Sequence, residues 1–212
     1  MSLPTEWRKT TQHLLPATRN AADAQAIPGQ YNIYPAHPLE AGQIEAGFDV
    51  LALRLANAQQ LVIVGYPGVL WEDFRELLNA AFAALGLRTT WRNVSEASKP
   101  AAAIDEMLAP YLGGDDPIFG CRYPGELSDF FNSAALQQLQ PDPQAELNIL
   151  YGCGAALAGW QGMLLYIDIP KNEIQFRQRA GSVTCLGTTT TLNAKVAYKR
   201  SYFVDWVVSN NH

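Results

Sequence analysis

The sequence lacks three features that mark special classes of protein: an excess of basic residues, a long apolar run and a secretory leader. Its formal net charge is −5, and Lys and Arg form no basic stripe, which argues against a nucleic-acid surface. No apolar run approaches the roughly 18 residues of a membrane-spanning helix. The N-terminus has no apolar core followed by a small-residue cleavage site. We therefore expect a cytoplasmic protein that binds neither nucleic acid nor membrane.

Residues that commonly carry catalysis or bind metal are also scarce. Cys121, Cys153 and Cys185 are widely spaced, form no CxxC pair and have no histidine nearby, so we expect reduced thiols and no zinc site. His37 is held between prolines, but a lone histidine is usually not a catalyst. No Ser/His/Asp or Cys/His arrangement is evident. The sequence therefore predicts no metal site, no cofactor of its own and no catalytic residue.

What is present is an ordinary globular composition. The 212 residues are 48% hydrophobic and 17% charged, which suffices for a proper core without disulfides. Residues 1–38 carry many Pro, Ala, Thr and Asn residues and no clean period, so they are predicted to form an extended arm. Residues 39–212 are predicted to form a single α/β domain.

The hydrophobic pattern predicts alternating strands and helices. The apolar run 61–64 indicates a strand, an amphipathic helix follows it and ends at Gly86, and residues 87–94 indicate a second strand. Such a βαβ unit favours a parallel sheet. The apolar runs 147–152 and 162–169 are predicted to lie beside the first strand. We expect a three-layer α/β fold with a largely parallel sheet.

Two further elements are predicted at the ends of this domain. Ile44, Phe48, Leu51 and Leu55 recur at spacings of four, three and four, which predicts one helix with an apolar stripe. Near the C-terminus, "YFVDWVVS" alternates two sets of side chains and predicts a last strand over 202–208.

The stretch "GYPGVLWEDF" begins like a phosphate-binding loop. Aligned on GxxxxGK[ST] from Gly65, it has Leu70, Trp71 and Glu72 where Gly, Lys and Ser/Thr are required. Glu72 and Asp73 then occupy the first helical turn, where they stabilise the helix dipole and would repel a phosphate. Helix capping is therefore favoured over anion binding, and the loop is predicted to be a degenerate phosphate loop.

Five residues are the candidates for binding a phosphate: Gly65, Gly68, Arg177, Arg179 and Lys199. The glycines belong to the turn after the first strand. The arginines follow a strand, and the guanidinium fork matches phosphate oxygens. The basic candidates have plain alternatives, because Glu173 and Arg177 are four residues apart and can pair on a helix surface, and Lys199 can be solvated at a strand end.

Two aspartates are candidates for a general base or a metal ligand. Asp116 lies with Asp115 in the turn "GGDDP", and Asp168 follows a predicted strand. Adjacent aspartates in such a turn are more often turn formers than ligands.

The strings "DDPIFG", "LNILYGCGAAL" and "LLYIDIPKNEIQFRQRAG" resemble, in their order, the uridine-kinase-like branch of the P-loop kinases. The resemblance spans about residues 60–182 and fails at the Walker lysine. It implies a P-loop-kinase-like topology that has lost phosphoryl transfer, or never had it.

The strings "GYPGV", "DDPIFG", "YGCGAAL", "YIDIPKNEIQFRQRAGSVTCLG" and "YKRSYFVDW" are similar to the N-terminal region of bacterial class I mannose-6-phosphate isomerase-like proteins. In that family such a domain precedes a cupin-type isomerase domain, which holds the zinc ligands. The resemblance covers about residues 30–210. It implies a domain that is cut from, or encoded apart from, a longer sugar-phosphate enzyme.

These observations lead to one expected function and two alternatives. We expect an accessory domain that binds a phosphorylated sugar or nucleotide beside a cupin isomerase domain, in cis or in trans, and does not isomerise sugars alone. The first alternative is an active sugar or nucleoside kinase with an atypical loop, using Asp116 or Asp168. The second is a non-catalytic interaction module, for example one that forms a homodimer.

Overall fold

A computed structural model describes residues 39–116 and 118–212. Within them, four parallel strands form one sheet: β1 (Gln60–Gly65), β2 (Thr89–Asn93), β3 (Leu147–Tyr151) and β4 (Met163–Ile167). The order across the sheet is β2-β3-β1-β4. β1 therefore pairs with β3 on one side and β4 on the other, which confirms that both later strands lie beside the first.

Helices cover both faces of this sheet. Leu61 and Ile63 of β1 pack with α1 (Phe48–Leu55) and α2 (Trp71–Ala84). The alternate residues Val62 and Val64 pack on the other face, against α3 (Ala101–Leu108) and α4 (Ser133–Gln138). Successive side chains of a strand point to opposite faces, and a buried parallel strand is apolar on both. The predicted three-layer α/β fold with a parallel sheet is confirmed.

The predicted N-terminal helix is shorter than its apolar stripe. α1 begins at Phe48, directly after Gly47, whose φ of 103° is outside the right-handed helical region. Ile44 lies in the preceding turn and is 73% exposed, whereas Leu55 is buried in the core. The stripe was correct from Phe48 onward and wrong at Ile44, because Gly47 interrupts the helix.

α2 follows the predicted pattern closely. It buries Leu78, Ala81 and Phe82 against the sheet. Gly86 follows its last turn with φ 78° and donates its N–H to the carbonyl of Ala83 at 3.0 Å. A glycine in the left-handed region is a common way to end a helix.

The C-terminal segment is helical, so the predicted last strand is wrong. It consists of α5 (Lys171–Ala180), α6 (Ala194–Arg200), a π-helical turn (Ser201–Asp205) and α7 (Trp206–Asn211). Ser201, Val204, Asp205 and Val208 are all buried. These positions have the spacing of residues on one face of a helix. Val204 and Val208 also fit the alternating pattern of a strand. Packing of the helical face against the core decided between the two patterns.

Among the described residues, β4 is at one edge of the sheet, and Leu164 and Tyr166 on it are 61% and 57% exposed. The predicted arm 1–38, including His37, lies outside the described residues. The division into an arm and one domain stays a prediction.

Candidate functional site

A cavity of about 760 Å³ lies at the carboxyl ends of the strands. Its walls come from the turn after β1, the first turn of α2, the residues that follow β2 and β3, and the segment 181–189. In open parallel α/β sheets, ligands bind outside the carboxyl ends of the strands, because the loops there converge. This cavity is therefore the candidate site.

The turn after β1 is locked onto α5. Gly68 has φ 101°, and a Cβ atom on it would lie 2.9 Å from a side-chain carbon of the fully buried Ile174. The carbonyl of Gly68 accepts a hydrogen bond from Nη1 of Arg177 at 2.8 Å. Arg177 also pairs with Glu173 at 3.2 Å. Only glycine fits this close approach, and Arg177 fixes the direction of the turn.

The first turn of α2 presents backbone N–H groups without a side-chain cap. Leu70 occupies the N-cap position, and no side chain among the described residues caps the helix there. Glu72 pairs with Arg75 at 2.8 Å and accepts a hydrogen bond from the hydroxyl of Tyr151 at 3.2 Å. Burial, followed by the nearby Glu72 carboxylate, raises the pKa of Tyr151. Asp73 is exposed at the cavity.

The segment 181–189 is held by two buried ionic side chains. Leu186 donates its N–H to Oδ2 of Asp205 at 3.1 Å, and its carbonyl accepts from Nη2 of Arg200 at 2.6 Å. Nε of Arg200 lies 3.6 Å from Oδ1 of Asp205. Burial raises the pKa of Asp205, although the Arg200 guanidinium opposes this shift. Both backbone groups of Leu186 are thereby anchored to the C-terminal helices, which places this wall of the cavity.

Hydroxyl groups and one lysine complete the lining. Ser95, Ser98, Thr184 and Thr189 lie along the cavity, and so does the half-buried Lys99. Sequence reasoning missed Lys99. The available signal was its place in "SKPAAA", just beyond the carboxyl end of the second strand, where ligand-binding loops of a parallel sheet lie.

Cys153 also lies at the cavity, beyond the end of β3. Its Sγ is 4.0 Å from Oγ of Ser209, and burial raises the pKa of the Cys153 thiol to about 12. A thiol with so high a pKa is protonated near neutral pH and is a poor nucleophile. The structure therefore gives Cys153 the properties of a packing residue.

The predicted phosphate-binding residues do not meet at one place. Gly68 lines the cavity and Gly65 lies at the end of β1, below the turn. Arg179 is exposed on α5, with its guanidinium over the ring of Phe176. Lys199 is buried and donates to the carbonyls of Gly114, at 3.2 Å, and of Asp116. Arg177, as described above, bonds the turn itself, so no shared anion site is formed by the five.

The two candidate aspartates are outside the cavity lining. Asp116 accepts the N–H groups of Ile118 and Phe119, both at 2.8 Å, which is the turn-forming role considered as its alternative. These bonds lower the pKa of Asp116. Asp168 follows β4, is exposed and accepts the N–H of Ile169 at 2.9 Å. Over residues 39–116 and 118–212 there is no cluster of three or more potential metal-ligating side chains.

A family model described as a domain of unknown function, DUF8485, matches residues 47–212. The chain belongs to this family. The DUF8485 match contains all four strands and every residue that lines the cavity. No curated protein sequence matches the chain. In the part of the DUF8485 protein that the structure describes, no helix has the length and hydropathy needed to cross a bilayer.

Among solved structures, the DUF8485 protein is similar to a crystal structure described as a "putative fructose transport system kinase from Silicibacter sp. TM1040". The two share 16% identity at a TM-score of 0.49, over 78% of this chain and 93% of that one. At such distance the kinase description applies to that protein alone. None of the comparisons supports the predicted resemblance to mannose-6-phosphate isomerase-like proteins, which rests on sequence strings only.

Proposed function

We propose that this chain binds a phosphorylated small molecule, a sugar phosphate or a nucleotide, in the cavity at the carboxyl ends of the strands. The observation that carries the proposal is the lining of that cavity, which places one lysine and several hydroxyl groups beside the glycine turn that follows β1. Phosphate oxygens accept hydrogen bonds from hydroxyls, backbone N–H groups and ammonium groups.

We propose that the chain binds this ligand but that the turn after β1 does not catalyse phosphoryl transfer. The positions of the Walker lysine and hydroxyl hold Trp71 and Glu72. Without them the turn supplies no point charge for the outer phosphates and no hydroxyl for magnesium. The carboxylates of Glu72 and Asp73 also disfavour a phosphate directly at the start of α2.

The test is a thermal-shift panel with mannose 6-phosphate, fructose 6-phosphate, ATP with magnesium, and inorganic phosphate. A ligand at 100 times its dissociation constant stabilises the folded chain by about 2.7 kcal/mol, which raises the melting temperature by roughly 5–11 °C for a domain of this size. At least one phosphorylated compound should give such a shift. If none does, the proposal is wrong.

A pair of neighbouring variants tests the location. Thr189 lines the cavity and Thr190, its exposed neighbour, does not. Thr189→Trp should fill part of the cavity and abolish the ligand-induced shift, while Thr190→Trp should retain it. Retention of the shift in both variants would place the binding elsewhere, and loss in both would show that the effect is not specific to the cavity.

An accessory role beside a cupin isomerase domain remains part of the proposal and rests on the sequence strings. The chain alone is expected not to interconvert mannose 6-phosphate and fructose 6-phosphate, which a coupled assay measures directly. Turnover by the purified chain, abolished by Thr189→Trp, would contradict the accessory role.

Phosphotransfer is the alternative that the atypical loop disfavours. ATP hydrolysis or sugar phosphorylation by the purified chain, abolished by Asp116→Ala or Asp168→Ala, would establish it. Both aspartates lie outside the cavity lining. We therefore expect no ATP hydrolysis or sugar phosphorylation by the wild-type chain, and no change in ligand binding in either variant.

A homodimer is favoured by one specific observation on β4. From Gly159 to Ile167 the chain has no charged residue, and Met163, Leu164 and Tyr166 are 47–61% exposed. Natural edge strands usually carry charges that prevent pairing. A second copy of the chain is the proposed partner. Light scattering should show a dimer that Leu164→Lys dissociates and that Leu53→Lys, at an equally exposed position of α1, preserves; a monomeric wild-type chain would contradict this.

A further inference from the structure

Lys99 is the cationic side chain of the cavity, and its backbone is held rigidly. Lys99 donates its N–H to the carbonyl of Phe130 at 2.9 Å. The preceding residue, Ser98, forms an isolated antiparallel bridge with Phe131. Pro100, which follows, is the N-cap residue of α3. Three consecutive residues are thus fixed, so the stem of Lys99 starts from a defined point on the cavity wall.

Among the described residues, the ammonium group of Lys99 has no hydrogen-bond or ion-pair partner. The side chain is half-buried at the cavity, yet within residues 39–116 and 118–212 no carboxylate lies within ion-pair distance of it and no acceptor bonds it. The cationic groups Lys199, Arg177 and Arg200, by contrast, each bond acceptors of the fold. A charge that is partly withdrawn from water favours an anionic partner.

The acidic residues that line the cavity belong to a different element from Lys99. Glu72 and Asp73 belong to α2, which covers one face of the sheet, whereas Lys99 precedes α3 on the other face. Glu72 is already paired with Arg75. The charged groups of the lining left for a ligand are therefore Lys99 and Asp73, and serine and threonine residues line the same cavity.

We infer that Lys99 binds the phosphate group of the ligand and replaces the lysine that the turn after β1 lacks. This inference rests on the proposed function. The phosphate lies against Lys99 and the neighbouring hydroxyls of Ser95 and Ser98, away from α2. The hydroxyl-bearing part of the ligand faces Asp73, whose carboxylate accepts hydrogen bonds from alcohol groups. The ligand class is thus a phosphate monoester of a polyhydroxy compound, bound by a lysine from the loop after β2.

The test is calorimetric titration with inorganic phosphate, mannose 6-phosphate and ATP on the wild-type chain and on Lys99→Met, Lys99→Arg and Lys195→Met. Lys195 is exposed on α6 and does not line the cavity. Its variant therefore removes the same charge at a position that should not contact the ligand. Lys99→Met should weaken binding about 10- to 100-fold, the equivalent of one charge-assisted hydrogen bond, and Lys99→Arg should retain most of the affinity.

Two controls separate a contact from a structural effect. The ligand-free melting temperature of Lys99→Met should equal that of the wild-type chain. The second pKa of a phosphate monoester is about 6, so wild-type affinity should rise from pH 5 to pH 7.5 as the dianion forms, and this rise should be smaller in Lys99→Met.

The outcomes distinguish the inference from the function on which it rests. If the wild-type chain binds mannose 6-phosphate or ATP and Lys99→Met binds it equally well, the role of Lys99 is refuted while phosphate-ligand binding stands. If Lys195→Met weakens binding as much as Lys99→Met, the effect is general electrostatic attraction and the inference is also refuted. If the wild-type chain binds none of the three compounds, the proposed function itself fails.

Discussion

Replacing Gly68 with alanine tests the close packing on which the turn after β1 depends. Gly68 has φ 101°, where a side chain costs about 1–3 kcal/mol of backbone strain. The added Cβ would also meet Ile174 Cγ1 at 2.9 Å and Cγ2 at 3.0 Å. Overpacking a filled core costs a further 1–3 kcal/mol or so. We expect Gly68→Ala to lower the free energy of unfolding by about 2–6 kcal/mol.

Gly86→Ala is the matched control, because Gly86 has φ 78° but nothing lies within 4 Å of the position that an added Cβ atom would take. Its free energy of unfolding should fall only by the strain of a non-glycine residue in the left-handed region, about 1–2 kcal/mol. Urea unfolding followed by tryptophan fluorescence measures both variants. At roughly 2–4 °C per kcal/mol, the melting temperature of Gly68→Ala should fall by about 4–24 °C.

The contact with Ile174 is isolated by a double-mutant cycle. In the Gly68→Ala background, Ile174→Ala should cost less than it does in the wild-type chain, because the smaller side chain relieves the clash. A coupling of about 0.5–3 kcal/mol is expected for residues in contact. If Gly68→Ala is no more destabilising than Gly86→Ala, or if the cycle shows no coupling, the close approach of the turn to α5 is refuted.

Three further predictions concern buried and exposed side chains elsewhere in the fold. Arg200→Met should cost about 3–5 kcal/mol, because it leaves the buried Asp205 carboxylate without its cation, whereas Arg179→Met at an exposed position should be nearly neutral. The pKa of Asp205 is raised in the folded chain, so the stability it confers is present at low pH and is lost as pH rises through that pKa. Arg200→Met should therefore be closer to wild-type stability at pH 5 than at pH 8 in urea titrations, and an equal loss at both would contradict this. At pH 8 a thiol reagent should label the exposed Cys121 rapidly, and the half-buried Cys153 and the buried Cys185 slowly, since burial raises the pKa of the latter two thiols; rapid labelling of two or more thiols in the native chain would refute it. Tyr66→Phe removes the hydrogen bond that the hydroxyl donates to Asn210 at 2.8 Å, and should cost about 1 kcal/mol by urea unfolding; an unchanged midpoint would argue that water replaces it.

The sequence predicted well wherever one local pattern had a single physical solution. The run Leu61–Val64 is too short and too apolar for a surface helix, and it forms the buried β1. Gly86 ends α2 as expected, since few other residues adopt its backbone conformation. The departure from the Walker pattern at Trp71 and Glu72 was also visible directly, because that pattern depends on residue identity alone.

The sequence failed where two patterns shared the same residues or where partners were far apart along the chain. Val204 and Val208 fit both a strand and a helix, and the buried contacts of the helical face settled the choice. Arg177, Arg179 and Lys199 were grouped by their type and proximity in sequence. In the fold, Arg177 bonds Gly68, Lys199 bonds the loop at Gly114, and Arg179 lies over the ring of Phe176 and outside the lining of the cavity.

The sequence by itself therefore determined the α/β class, the main strands and the loss of the Walker residues, because periodicity and motif identity are local properties. Only the tertiary structure decided which charges are already used by the fold and which face the cavity. Lys99 is distant in sequence from Gly68 and from Thr189. Gly68 and Lys99 meet at one cavity because parallel strands place their carboxyl ends at the same edge of the sheet, and Thr189 joins them because Arg200 and Asp205 anchor its segment to the C-terminal helices.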